Sequence, residues 1–178
     1  MKHSTILVAG VLTLAAASLG KAQEPAEQES VRIGTFDSRA VALAYYRSPE
    51  GLQRMKPEWD QELREAEAAG DSARVEELKL FMPSFQHLLH QQVFSTGSIC
   101  NVLREIEDDL PAIAAEAGVS VIVSRWELPY SAPNLPQIDV TPQIVALFEV
   151  DAEVAGMVAQ IEDVEPVPLE EMLYQPEH

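Results

Sequence analysis

The chain has 178 residues with 29 Asp and Glu against 12 Lys and Arg, a formal charge of −17, and a single cysteine. So acidic a chain repels nucleic acid and anionic lipid headgroups, so neither a nucleic-acid partner nor strong binding to an anionic membrane is expected. One cysteine also excludes an intramolecular disulfide framework, which leaves stability to the core or to oligomerisation.

The first 22 residues read as a secretory signal: Lys2, an apolar uncharged run from Ile6 to Leu19, then small residues ahead of a cut near Ala22. The run is too short for a spanning helix, which needs about 20 apolar residues. Cleavage removes Lys2 and Lys21, taking the charge from −17 to −19, and implies a periplasmic or otherwise exported protein. Residues 23–30, "QEPAEQES", read as a flexible leader. A domain over 31–150 follows, then an acidic extension over 151–178.

Val31 to Phe36 alternates apolar and other residues, the pattern of a short half-buried strand. Asp37 and Ser38 are candidate caps for the helix "RAVALAYYR". From Leu52 the apolar positions Met55, Trp59, Leu63 and Ala66 follow at helical spacing. Read as one helix, Ser38 to Ala69 would be about 48 Å long at about 1.5 Å per residue. Gly70 terminates it, and Asp71 or Ser72 caps the next helix. So short a turn predicts an antiparallel helical hairpin.

The second helix continues the seam through Val75, Leu78, Met82, Phe85, Leu89 and Val93. After "STGS" at 95–98 the rhythm resumes at Ile99, Leu103, Ile106, Leu110, Ile113 and Ala117, which predicts a helical arm over about 50–117. Pro83 is a possible kink, and Pro111 a kink or the first residue of a new helix. Cys100 is read as a small apolar residue on a buried helix face. Gly118 ends the helical region, and the β-branched run "VSVIVSRW", 119–126, predicts a strand followed by a Pro-rich loop. Gln137 to Val140 is extended, Thr141 a cap and Pro142 the first helical residue ahead of Ile144, Val145, Leu147 and Phe148. A short helix over Ala152 to Ile161 and an extended Pro166–Val167–Pro168 segment complete the chain.

Chemical signatures are sparse. His87 and His90 lie one helical turn apart without a third ligand at matching spacing, and Glu107, Asp108 and Asp109 read as a solvated helix face. No nucleophile elbow, zinc-protease motif or P-loop occurs, so no catalytic residue, metal or cofactor is assigned and a non-enzymatic protein is expected. Trp59, Phe81, Phe85 and Phe94 are candidates either for packing between the helices or for lining a surface that receives client segments. Ile138, Val140, Ile144, Val145 and Phe148 are candidates for packing and assembly of the body.

The order of elements, together with "RIGTFDSRAVA" and "AGVSVIVSRWELPYSAPNLPQIDVTPQIVALF", resembles the Skp (OmpH-like) family of periplasmic chaperones. The run Asp139 to Phe148 looks like that family's closing motif. The resemblance implies an α+β fold in which short strands of three subunits form a small β-body and helical hairpins project from it. It further implies a homotrimer that holds unfolded or partly folded envelope proteins. A structural or adaptor protein of the envelope with the same fold is the alternative.

Overall fold

A computed structural model describes residues 31–172; the signal and leader expectations fall on 1–30, and the last six residues of the acidic extension on 173–178, outside the described residues. The chain is an α+β protein in which eight helices accompany one three-stranded sheet among the described residues. Strand β1 (Ile33–Phe36) is central, with β2 (Val121–Ser124) on one side and β3 (Gln137–Asp139) on the other, both parallel to it. The register pairs Gly34 with Ile122 and Ile138, and Phe36 with Ser124. Parallel neighbours require long crossovers. Helices supply the first; residues 125–136, a 3-10 turn and the Pro-rich loop, supply the second.

Helix α1 (Ser38–Arg47) is capped by Asp37, whose carboxylate accepts from the Arg39 amide. Every residue from Ser38 to Tyr46 is buried. The sequence "AVALAYY" is apolar on all faces, and such a helix needs partners all round. Partners come from α3 (Ser72–Phe94), α6 (Thr141–Val145) and α7 (Ala152–Glu162), with α2 (Leu52–Ala69) and α4 (Cys100–Glu105) adding smaller contacts.

The single helix expected from Ser38 to Ala69 is two. Pro49 disfavours helical backbone at Ser48, which is extended at φ −73° and ψ 166°. Ser48 then closes α1 by donating its amide and its hydroxyl to the Tyr45 carbonyl, at 3.1 and 2.7 Å. Gly51 passes so close to that carbonyl that a Cβ would sit 2.1 Å from the oxygen, so the break requires glycine.

Helices α2 and α3 meet across the turn at Gly70, which adopts φ 70°, with Asp71 capping α3 through the Arg74 amide. Helix α3 runs through Pro83 without ending. It stops at Phe94, and α4 and α5 (Leu110–Ala117) are separate short helices. Pro111 sits at the start of α5, and Gly118 closes it at φ 62°. The seam residues beyond 98 all pack on the core around α1: Ile99, Ile106 and Ile113 are buried within it, and Leu103, Leu110 and Ala117 lie against it.

Three local expectations change. Cys100 is exposed, because Ile99 takes the buried position and Cys100 opens α4. Glu107, Asp108 and Asp109 are exposed as expected but form the turn between α4 and α5, not a helix face. Thr141 is the first residue of α6 and not its cap; the capping acceptor is the Asp139 carboxylate, 2.9 Å from the Thr141 amide. The final helix α8 (Leu169–Met172) follows the Pro166–Pro168 segment, where the Val167 amide donates to the Phe94 carbonyl at 2.9 Å.

Candidate binding surface and a buried polar hub

The helical seam brings three of the four predicted aromatics together. Trp59 on α2 meets Phe85 edge-on at 4.8 Å and Phe81 at 5.3 Å between ring centres, while Phe81 stacks on Phe85 at 6.0 Å. These offsets are the preferred arrangements of aromatic quadrupoles. Beside them, Leu52, Trp59, Met82, Phe85 and Leu89 line a groove of about 300 Å³. Phe81 remains 44% exposed, so the cluster opens to solvent along α3. Phe94 is apart from it, 48% exposed and tilted against His90 at 5.7 Å.

Some of the charges on this helix pair are matched, while Arg54, Glu58, Arg64, Glu65 and Glu76 stand outside the ion pairs. Lys56 pairs with Asp60, Lys79 with Glu67, and Arg74 with both Glu62 and Glu77. Inside, Phe85 touches Tyr46 of α1 at 5.7 Å, and Tyr46 touches Tyr45, which touches Phe148. A ladder of aromatic contacts therefore runs from the helix pair to the segment after β3. It is fixed where Tyr46 Oη donates to Gln92 Oε1 at 2.7 Å and accepts from Asn101 Nδ2 at 3.0 Å. Gln92 Nε2 completes the ring by donating to Asn101 Oδ1.

Of the predicted body residues, Val140, Ile144 and Phe148 lie in the core, and Ile138 and Val145 are partly buried against it. His87 hydrogen-bonds Gln91 within its own helix, and among the described residues no three His, Cys, Asp or Glu side chains group as metal ligands would.

A second cluster was not anticipated. At the carboxyl ends of the strands, Asp37 is fully buried and Arg39 is 1% exposed. Arg39 donates from Nε and NH2 to the two oxygens of Asp37, at 3.2 and 2.8 Å, and from NH1 to the Val164 carbonyl at 2.7 Å. Trp126 Nε1 donates to Asp37 at 3.0 Å, and its ring lies 4.8 Å below the Arg39 guanidinium. Arg125 NH2 stands 3.1 Å from Asp37 and 3.6 Å from Glu162. The Asp37 amide donates to Thr141 Oγ1, which in turn donates to Asp139. Strand ends β1, β2 and β3 are thus tied to α6 and α7 by one polar network.

Burial pushes the Asp37 carboxyl up, but hydrogen bonds from Arg39 and Trp126 and the charge of Arg39 outweigh it and hold the group below the ordinary aspartate value. Glu162 behaves oppositely: burial raises it, the Asp139 charge adds to the rise, and Arg125 opposes it. Its Oε1 is buried without a hydrogen-bond donor. An acid whose folded value is raised binds its proton first in the folded state, so its ionised form weakens the fold above that value. Glu162→Gln is therefore expected to raise the urea midpoint at neutral pH, with the gain vanishing below the ordinary glutamate range. A gain that is constant with pH, or a loss at neutral pH, would contradict this assignment.

Within the hub Asp37 is fully partnered by Arg39, Trp126 and Arg125, while Glu162 Oε1 is left without a donor. What the hub does is clamp α7 and the Val164 segment onto the strand ends. The signal in the sequence was Arg39, a lone charge inside an apolar helix two residues after Asp37. Arg125, Trp126, Thr141 and Glu162 carry no local mark of the role.

These features define an α+β protein with a small parallel sheet and an aromatic-lined helix pair. No protein-family model, curated protein or solved structure matches the chain. Among the described residues no helix is long and apolar enough to cross a membrane.

Proposed function

We propose that the chain is an exported, non-enzymatic binding protein, similar to the Skp (OmpH-like) chaperones, that holds unfolded or partly folded envelope proteins. The observation that carries this reading is the solvent-open aromatic cluster Trp59, Phe81 and Phe85 on the helix pair α2 and α3. Apolar surface left open beside a groove is the feature expected of a polypeptide-binding site. In the full form of this reading, α2 and α3 are the antiparallel arm of each subunit, and three small β-bodies assemble into a homotrimer.

Light scattering of the purified mature chain should give the mass of a trimer, and the chain should suppress aggregation of a denatured outer-membrane β-barrel protein on dilution from urea. A monomer that leaves aggregation unchanged would end this proposal. Cross-linking in the native envelope separates a holdase, with many unfolded partners, from an adaptor with one constant partner.

A further inference from the structure

We infer that the groove between α6 and α7 binds a small alkylammonium, with its charged head at Glu162 and its alkyl chain laid between the two helices. The groove holds about 280 Å³. Helix α6 starts two residues after β3, so the groove opens beside the carboxyl ends of the strands, where parallel sheets hold their ligands. Ala155, Val158, Ala159 and Glu162 share one face of α7, because the last three stand three, four and seven positions after the first. Pro142 and Val145 of α6, with Ala146 directly after it, form the facing wall. Thr141 also lines the groove, but its hydroxyl is committed to the Asp37 amide and to Asp139. Glu162 is therefore the one lining group that can fix a ligand's charge, and the other six are apolar. Pro142, Ala146, Ala155 and Ala159 are exposed, so a ligand enters without displacing the core.

The surroundings of Glu162 select a cation. Its Oε1 is buried without a hydrogen-bond donor, and Arg125, 3.6 Å away, stands closer to Asp37 at 3.1 Å. The negative groups acting on Glu162 are Asp139, Asp37 and Asp163. One guanidinium thus serves several carboxylates, and it belongs to the last Lys or Arg of the chain, after which eleven acidic residues follow. An ammonium brings N–H donors and a positive charge together. A ligand carboxylate would meet the same field with the wrong sign. The walls choose the rest of the molecule, because an alkyl chain gains by leaving water there while a polar tail loses its hydration without a partner. Ala155 to Glu162 extends about 10 Å at about 1.5 Å per residue, room for a chain of about six carbons.

Isothermal titration calorimetry of the purified chain with propylamine, hexylamine, hexanol and hexanoate tests this. Hexylamine should bind at one site per chain, and each methylene between propyl and hexyl should tighten binding about three-fold. Hexanol should bind about ten-fold more weakly than hexylamine, because it offers no charge to the carboxylate, and hexanoate more weakly again. E162Q should lose about ten-fold for hexylamine. That variant is expected to be the more stable at neutral pH, so its weak binding would not reflect unfolding. A159L replaces an exposed helical alanine, leaves the carboxylate in place and fills the groove, and it should also lose about ten-fold; an unchanged circular-dichroism melt confirms its fold. An alkylammonium keeps its proton up to about pH 10, so the pH dependence belongs to the protein. Glu162, faced by Arg125, Asp139, Asp37 and Asp163, binds the cation when ionised, and its folded value is raised. Affinity should therefore begin to fall, as pH is lowered, above the ordinary glutamate value, and E162Q should flatten that fall. Equal affinity for hexanol, or wild-type affinity in E162Q or A159L, overturns the inference. So does binding that ignores chain length, the mark of loose counter-ion attraction to an acidic chain. A solution mass that changes in A159L also overturns it, since the groove would then lie between copies of the chain.

Discussion

Arg39→Ala is expected to destabilise the chain by about 3–5 kcal/mol, the range for removing one partner of a buried ion pair. The guanidinium is 1% exposed, spends two donors on Asp37 and one on the Val164 carbonyl, and lies over Trp126. Its loss leaves the fully buried Asp37 with Arg125 at 3.1 Å and the Trp126 indole at 3.0 Å, and leaves the Val164 carbonyl without its donor. Arg39→Lys should rescue little, because an ammonium cannot engage both carboxylate oxygens and a third acceptor in one plane. D37N/R39M, which removes both charges, should cost less than Arg39→Ala alone.

The effect has a definite sign in pH. Asp37 is held below the ordinary aspartate value, so its contribution is present above that value and is lost as pH falls through the folded one. The gap between wild type and Arg39→Ala, read from urea midpoints with Trp126 fluorescence as one probe, should therefore narrow in acid. A cost under about 1 kcal/mol, or a gap equally wide at neutral and acid pH, would mean that the pair does not clamp α7 to the strand ends.

Legibility in the sequence followed the range of the interaction. Asp37, Asp71, Gly70 and Gly118 each act on backbone within a few residues, and their roles were readable from neighbours alone. Trp59 and Phe85 were readable as seam positions of their own helices, with Phe81 beside the seam. The break at 48–51 was obscured by apolar spacing that resumes at Leu52, although Pro49 and Gly51 marked it. Of the hub, only Arg39 inside an apolar helix left a mark in the sequence. Trp126 lies 89 residues from Asp37 and Thr141 lies 104, and no periodicity encodes such a pairing. The parallel sheet and the central place of α1 are likewise products of tertiary packing.

Ile144→Ala bears on what the run Asp139 to Phe148 does. Ile144 and Val140 have no exposed surface, and Phe148 is 4% exposed with its ring 5.7 Å from Tyr45. These side chains pack within one chain, against α1, before any second copy is considered. Truncating Ile144 removes buried methyl groups and leaves a cavity between α6 and α1, with an expected cost of about 2–5 kcal/mol. Ile138 and Val145 are only partly buried, so alanine there should cost less in folding and remain available to report on assembly. The distinguishing measurement is a urea titration at two protein concentrations, alongside the mass in native buffer. Ile144→Ala should lower the midpoint at both concentrations and leave the native mass unaltered. If it instead reduces the mass while the midpoint extrapolated to high concentration matches wild type, then Ile144 acts between subunits and the core around α1 does not depend on it.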